Sequence, residues 1–170
     1  MLNVFGSTAS GQADSEPTDI LVLPPDAPLA ISRLLADWTA LLGATPPSAP
    51  RLRKLVPASE TSCLLAGIGL AGSGRKPAEL VWLDTAAAPG WPFQAPVAGQ
   101  PVRRIFPAHS AARTVEDLKA VIETRMPHYV ELTEWSGGQN GEAHGRLALP
   151  VTGDGRRIEL LVLWERIADR

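Results

Sequence analysis

The sequence predicts an α+β domain: an amphipathic N-terminal helix, then a curved antiparallel sheet with flanking helices. Three observations carry the prediction. Apolar residues recur at helical spacing over residues 31–42, a second helical stripe runs over residues 115–126, and β-favouring segments joined by glycine-rich turns fill residues 129–166. With 170 residues, 45% of them apolar, the chain is long enough for one core and one domain.

Residues 1–18 are rich in Ser, Gly, Asp and Thr without apolar periodicity, and are expected to form a flexible tail. The segment 19–44 carries the first helix. Asp26 is placed to cap it, Ile31, Leu34, Leu35, Trp38, Leu41 and Leu42 line one face, and Gly43 supplies the stop. Pro46, Pro47 and Pro50 then break regular hydrogen bonding, so residues 44–57 read as a connector with a helical turn near Leu52–Val56. The basic cluster Arg51, Arg53 and Lys54 within it reads as a solvated face.

The middle of the chain yields two strand-like runs, Ser62–Leu70 and Glu79–Asp84, followed by an irregular passage punctuated by Pro89, Pro92, Pro96 and Pro101. Thr114 with Asp117 three residues on reads as a capping box. The helix it opens, with Val115, Leu118, Val121, Ile122 and Met126 on one face, must end before Pro127. Three strands follow, over residues 129–135, 143–151 and 157–166. Asp154-Gly155 between the last two marks a tight hairpin, and Ile158, Leu160, Val162 and Trp164 share one face of the final strand.

This order resembles a known family. A helix bearing W-x-x-L-x-G (Trp38, Leu41, Gly43) stands near the start, and Arg146-Leu147-Ala148-Leu149-Pro150-Val151 with Asp154-Gly155 precedes a long last strand. Both features resemble the single-domain PAS-like proteins common in alphaproteobacteria, loosely over residues 34–164 and most closely over residues 113–167. The chain departs from the family's glycine-threonine pattern in the first half of the sheet, where only residues 93–106, around Ala98-Gly99, stand in its place. The resemblance implies a PAS-like domain over residues 45–170, a sensory or docking role, an interior that sometimes holds a small molecule or haem, and dimerisation through a helix outside the core. On that basis Ile31, Leu34, Leu35, Trp38, Leu41 and Leu42 are the expected interface. His109, before the second helix, is the candidate haem ligand.

Other chemistries find little support. Gly67, Gly69 and Gly72 match the spacing of a dinucleotide-binding turn, but Ser73 to Pro77 would break the helix such a turn must open. His109, His128 and His144 lack metal-ligand spacing, and no nucleophile elbow or paired carboxylates occur; Glu131 and Glu134 fall on opposite faces of a strand. Sixteen basic residues against 18 acidic ones give a net charge of −2, which disfavours nucleic-acid binding. No run is apolar enough to cross a membrane, and Met1–Ser15 lacks a signal-peptide pattern, so a cytoplasmic location is expected. The single cysteine, Cys63, is expected to pack as a small hydrophobe. Among the five tryptophans, Trp38 and Trp164 suit the core and Trp91, in a loop, suits an interface.

The functional expectation is a non-enzymatic sensory or regulatory module in bacterial signal transduction. It would act through protein–protein interaction, as a homodimer or with a signalling protein, with or without a small ligand, and no catalytic residue or required cofactor is assigned. The alternatives are a haem- or small-molecule-binding sensor and an enzyme of unrecognised type.

Overall fold

The computed structural model describes residues 21–56, 63–72, 78–133, 135 and 142–167. The tail expected over residues 1–18 and the turn at residues 136–141 lie outside the described residues. In chain order the elements are α1 (Leu29–Leu41), α2 (Ala49–Arg53), β1 (Cys63–Ala71), β2 (Glu79–Ala87), α3 (Ala108–Thr124), β3 (His128–Leu132), β4 (His144–Thr152) and β5 (Ile158–Arg166). The strands form one five-stranded antiparallel sheet in the order β2-β1-β5-β4-β3. The C-terminal strands are the expected meander, and the central run Ser62–Leu70 supplies β1, which closes the sheet by pairing with β5.

Alternation along β5 places Leu160, Val162 and Trp164 on one face and Leu161 and Leu163 on the other, and all five are buried. A strand apolar on both sides belongs in the middle of a layered domain. One face packs under α3 and the chain before it, with Leu64, Ile68, Leu80, Trp82, Leu118 and Val121 in that core. The opposite face packs under α1 and α2, with Ile31, Leu34, Leu35, Trp38 and Leu52 against Leu147, Leu149, Val151, Leu161 and Leu163.

This placement corrects the interface expected on α1. Ile31, Leu34, Leu35 and Trp38 are buried against the chain's own sheet, Leu41 is half-buried in the same cluster, and only Leu42, 39% exposed, faces water. The helix set apart in segment 19–44 therefore covers the same sheet as the residues after 45. Its start also differs from expectation: Pro28, not Asp26, occupies the N-cap position. Because proline offers no capping oxygen, a partner comes from the sheet, and Glu165 of β5 accepts the backbone N–H of Ala30 at 3.2 Å. At the other end of the contact the Trp38 indole N–H donates to the carbonyl of Pro150 at 2.8 Å. Pro150 lies beyond the end of β3, where β4 has only one strand neighbour and a missing N–H costs no ladder bond.

Burial raises the pKa of Glu165 above the ordinary carboxylate value, against the opposing backbone N–H bonds of Ile31 and Ala30. A carboxyl raised on folding contributes stability that is complete below its unfolded pKa and is lost as pH rises through the folded one. Glu165→Gln keeps an acceptor for Ala30 and abolishes the titration. The variant is thus expected to gain stability relative to the wild type as pH rises from about 4 to about 7. Denaturant unfolding at several pH values checks this, and a pH-independent difference would contradict it.

The second helix is longer than the capping box implied. α3 begins at Ala108 behind Pro107, whose fixed φ of −53° suits the helix entry, so Thr114 lies inside the helix and is buried. It ends, as expected, before Pro127, with Arg125 in the left-handed conformation at φ 57°. The hairpin between β4 and β5 forms, but its positive φ values fall on Gly155 (68°) and Arg156 (62°) rather than on Asp154-Gly155. β3 stops at Leu132, short of the expected 135. No helix among the described residues is long and apolar enough to cross a membrane.

Gly67 and Gly69, whose spacing with Gly72 matches a dinucleotide-binding turn, lie inside β1. A bulge separates Gly67 from Ile68, and the Gly67 N–H donates to Asp84 Oδ1 at 3.0 Å. A Cβ at Gly67 would sit 2.9 Å from that carboxylate oxygen, which Arg53 also grips. The glycine thus serves the sheet and a side-chain contact, not a phosphate.

Candidate functional site

The face of the sheet under α3 carries an aromatic cluster assembled from distant parts of the chain. β2 contributes Trp82 and β5 contributes Trp164, on adjacent-but-one strands whose side chains point to the same face. The passage after β2 folds back over its edge: the Trp82 N–H donates to the Gln100 carbonyl, the Gly99 N–H donates to the Trp82 carbonyl, and the Thr85 hydroxyl donates to the Pro96 carbonyl. That return path, turned at Gly99 with φ 84°, brings Trp91, Phe93, Val102 and Phe106 onto the sheet. Trp135 enters from the chain after β3 and packs at the centre.

Ring centroids lie 4.8 Å apart for Phe106–Trp135, 5.1 Å for Trp91–Trp135, 5.4 Å for Trp135–Trp164 and 5.6 Å for Trp82–Trp164. Phe93 stacks on Trp135 at 5.8 Å with planes 19° apart. The Trp91–Trp135 and Trp135–Trp164 pairs meet edge to face, the arrangement that ring quadrupoles favour. The loop residue Trp91, expected at an interface, is instead 8% exposed within this core.

Polar groups border the rings. His144 of β4 is buried 5.3 Å from Trp91 and 5.5 Å from Phe93, and its Nδ1 lies 2.9 Å from the Glu142 carbonyl. A carbonyl only accepts, so Nδ1 carries the proton. Arg146, opposite Trp164 in the sheet register, is fully buried and donates from Nη2 to Asp117 Oδ2 of α3 at 2.7 Å. The acidic residue read as half of a capping box is thus the counter-ion of a buried guanidinium. Nearby on β3, burial and then the Arg146 charge lower the pKa of His128, while Asp117 opposes them.

Removing Asp117 takes the Nη2 acceptor from that buried guanidinium. Asp117→Ala is expected to cost about 3 kcal/mol, the low end for breaking a buried pair because Asp117 keeps partial access to water. It is also expected to depress the His128 pKa further, since the one charge raising it is gone. Denaturant unfolding and a histidine NMR titration check the two effects separately.

The cluster's distinguishing feature is its indole nitrogens. The Nε1–H groups of Trp82, Trp91 and Trp135 are buried with no acceptor among the described residues, whereas that of Trp38 is bonded to Pro150. Buried donors are ordinarily paired, so three in one cluster ask for an explanation. The tryptophan count signalled aromatic packing in the sequence, but nothing local indicated which indoles would meet.

The other sequence-derived candidates fall elsewhere. His109 is exposed on the first turn of α3 and is not directed into this interior, which corrects its assignment as a haem ligand. The stripe Ile31, Leu34, Leu35, Trp38 and Leu41 lies on the far side of the sheet. Cys63 is buried in that second core, packed as a small hydrophobe. Among the described residues no three His, Cys, Asp or Glu side chains gather as a metal-binding group. Comparison of the chain with known protein-family models and with curated proteins finds no match.

Proposed function

We propose that the chain is a non-enzymatic sensory or regulatory module of PAS-like type in signal transduction. Its input is a small molecule taken up by the aromatic interior, and its output is association with a protein, either a second copy or a signalling partner. The observation that carries this reading is the trio of buried indole donors at Trp82, Trp91 and Trp135, which have no acceptor among the described residues. The five-stranded antiparallel sheet with helices on its faces is consistent with the resemblance drawn from residues 113–167.

Crosslinking in cells that express the tagged full chain tests the proposal, comparing the wild type with Trp82→Phe and Trp91→Phe variants whose unfolding remains cooperative. A defined crosslinked species, homodimeric or with one signalling protein, is expected from the wild type. Its yield is expected to change in the variants. Equal yields from all chains, or no crosslinked species, would remove the reading.

A further inference from the structure

The sheet begins at β2 and ends at β3, and the chain treats these outer strands differently. The passage after β2 runs along that strand's outer side, through the Trp82–Gln100 and Gly99–Trp82 main-chain bonds and a bridge between Val81 and Pro101. Where β4 continues past β3 its side is closed in the same way, by the Thr152 N–H donating to the Pro47 carbonyl and the Trp38 indole donating to that of Pro150. β3 stands last in the strand order, and among the described residues β4 is its one strand neighbour. We propose that the outer side of β3 is an association surface whose occupant is β3 of a second copy, added antiparallel about a two-fold axis at Val130. The inference names the surface for the association proposed above and rests on that reading.

The direction of the main-chain groups follows from β4. The Gly153–Arg157 and Ala143–Ile167 bonds put odd-numbered residues of β4 on the β5 side, and the Thr152–Pro47 bond puts even-numbered ones on the other. His128, Val130 and Leu132, opposite Ala148, Arg146 and His144, therefore face β4, and the N–H and C=O of Tyr129 and Glu131 point away from it.

Self-pairing through those groups has a preferred register. Setting Glu131 opposite Glu131 of the second copy places like charges side by side. Setting Tyr129 opposite Tyr129 leaves Glu131 facing Pro127, which has no N–H to give. Setting Tyr129 opposite Glu131 avoids both faults: each such pair exchanges both of its main-chain bonds, and Val130 meets Val130. The Tyr129 hydroxyl, which donates to Glu131 Oε1 of its own strand at 3.1 Å, then also lies across from the Glu131 of the second strand. A patch that complements itself about a two-fold axis gives a closed dimer rather than a filament.

Strands of five residues make a small interface, so a dissociation constant of about 0.1 mM is expected. Sedimentation of the wild-type chain from about 10 µM to about 1 mM should show monomer giving way to dimer. Over the same range the amide signals of Tyr129 and Glu131 should shift more than that of Val130, whose N–H already faces β4. Val130→Cys should form a disulfide-linked dimer on mild oxidation, because opposed residues of a non-hydrogen-bonded pair lie at a separation that a disulfide spans. Leu132→Cys, which would face His128, should yield about tenfold less under the same conditions. The native Cys63 is buried and common to both variants. Glu131→Pro removes an outward N–H and no bond to β4, and should stay monomeric at about 1 mM.

A wild type that remains monomeric at about 1 mM, equal disulfide yields from the two cysteine variants, or a dimer untouched by Glu131→Pro would overturn the inference, and the dilution series needs no variant to fold. A dimer in this register, alongside crosslinking in cells that is the same for wild type, Trp82→Phe and Trp91→Phe, would keep the surface and remove the regulatory reading. Crosslinking that responds to those substitutions in a chain that fails the tests on β3 would keep the regulatory reading and overturn this surface.

Discussion

Trp164→Ala is expected to destabilise the protein by about 3–5 kcal/mol, the range for emptying a large aromatic side chain from a core. The residue is fully buried toward the C-terminal end of β5, and its ring lies against those of Trp82, Trp135 and Phe106 at centroid distances of 5.6, 5.4 and 6.3 Å. Those neighbours come from three separate segments, so they cannot all collapse into the space without moving the sheet or the returning loop. Equilibrium denaturation measures the loss, and the near-UV circular dichroism should fall with it as coupled indoles lose their fixed geometry. A cost below about 1 kcal/mol would show that Trp164 is not in the core.

Leu34→Ala on α1 is expected to cost about 2–5 kcal/mol, and Leu34→Glu to abolish cooperative folding by placing a charge against the sheet. Leu34 is 2% exposed beneath α1, between the strands and the helix that Glu165 and the Pro150 carbonyl hold in place. Leu42→Glu, at the C-cap of the same helix and 39% exposed, is expected to change stability by no more than about 0.5 kcal/mol. Denaturation of the three variants distinguishes a helix that closes its own core from one that serves as a docking surface. A folded Leu34→Glu protein with native unfolding would restore the docking reading.

The sequence specified the elements whose signals are local. Periodicity located α1 and most of α3, Pro127 stopped α3, and the alternation of Leu160, Val162 and Trp164 with the turn residues around Gly155 determined the C-terminal meander. What it left open were relations between segments far apart in the chain. The stripe on α1 is the same whether its partner is a second chain or the chain's own sheet, and only burial against β4 and β5 decides between them.

The capping-box spacing of Thr114 and Asp117 was equally ambiguous, because favourable helix residues upstream let α3 start at Ala108 and freed the carboxylate to meet Arg146 of β4. The aromatic cluster shows the same division. Composition announced five tryptophans. Their meeting depended on a proline-rich passage that returns over β2 and on β1 pairing with β5 across nearly a hundred residues, contacts whose physical cause is burial and has no local signature in the chain.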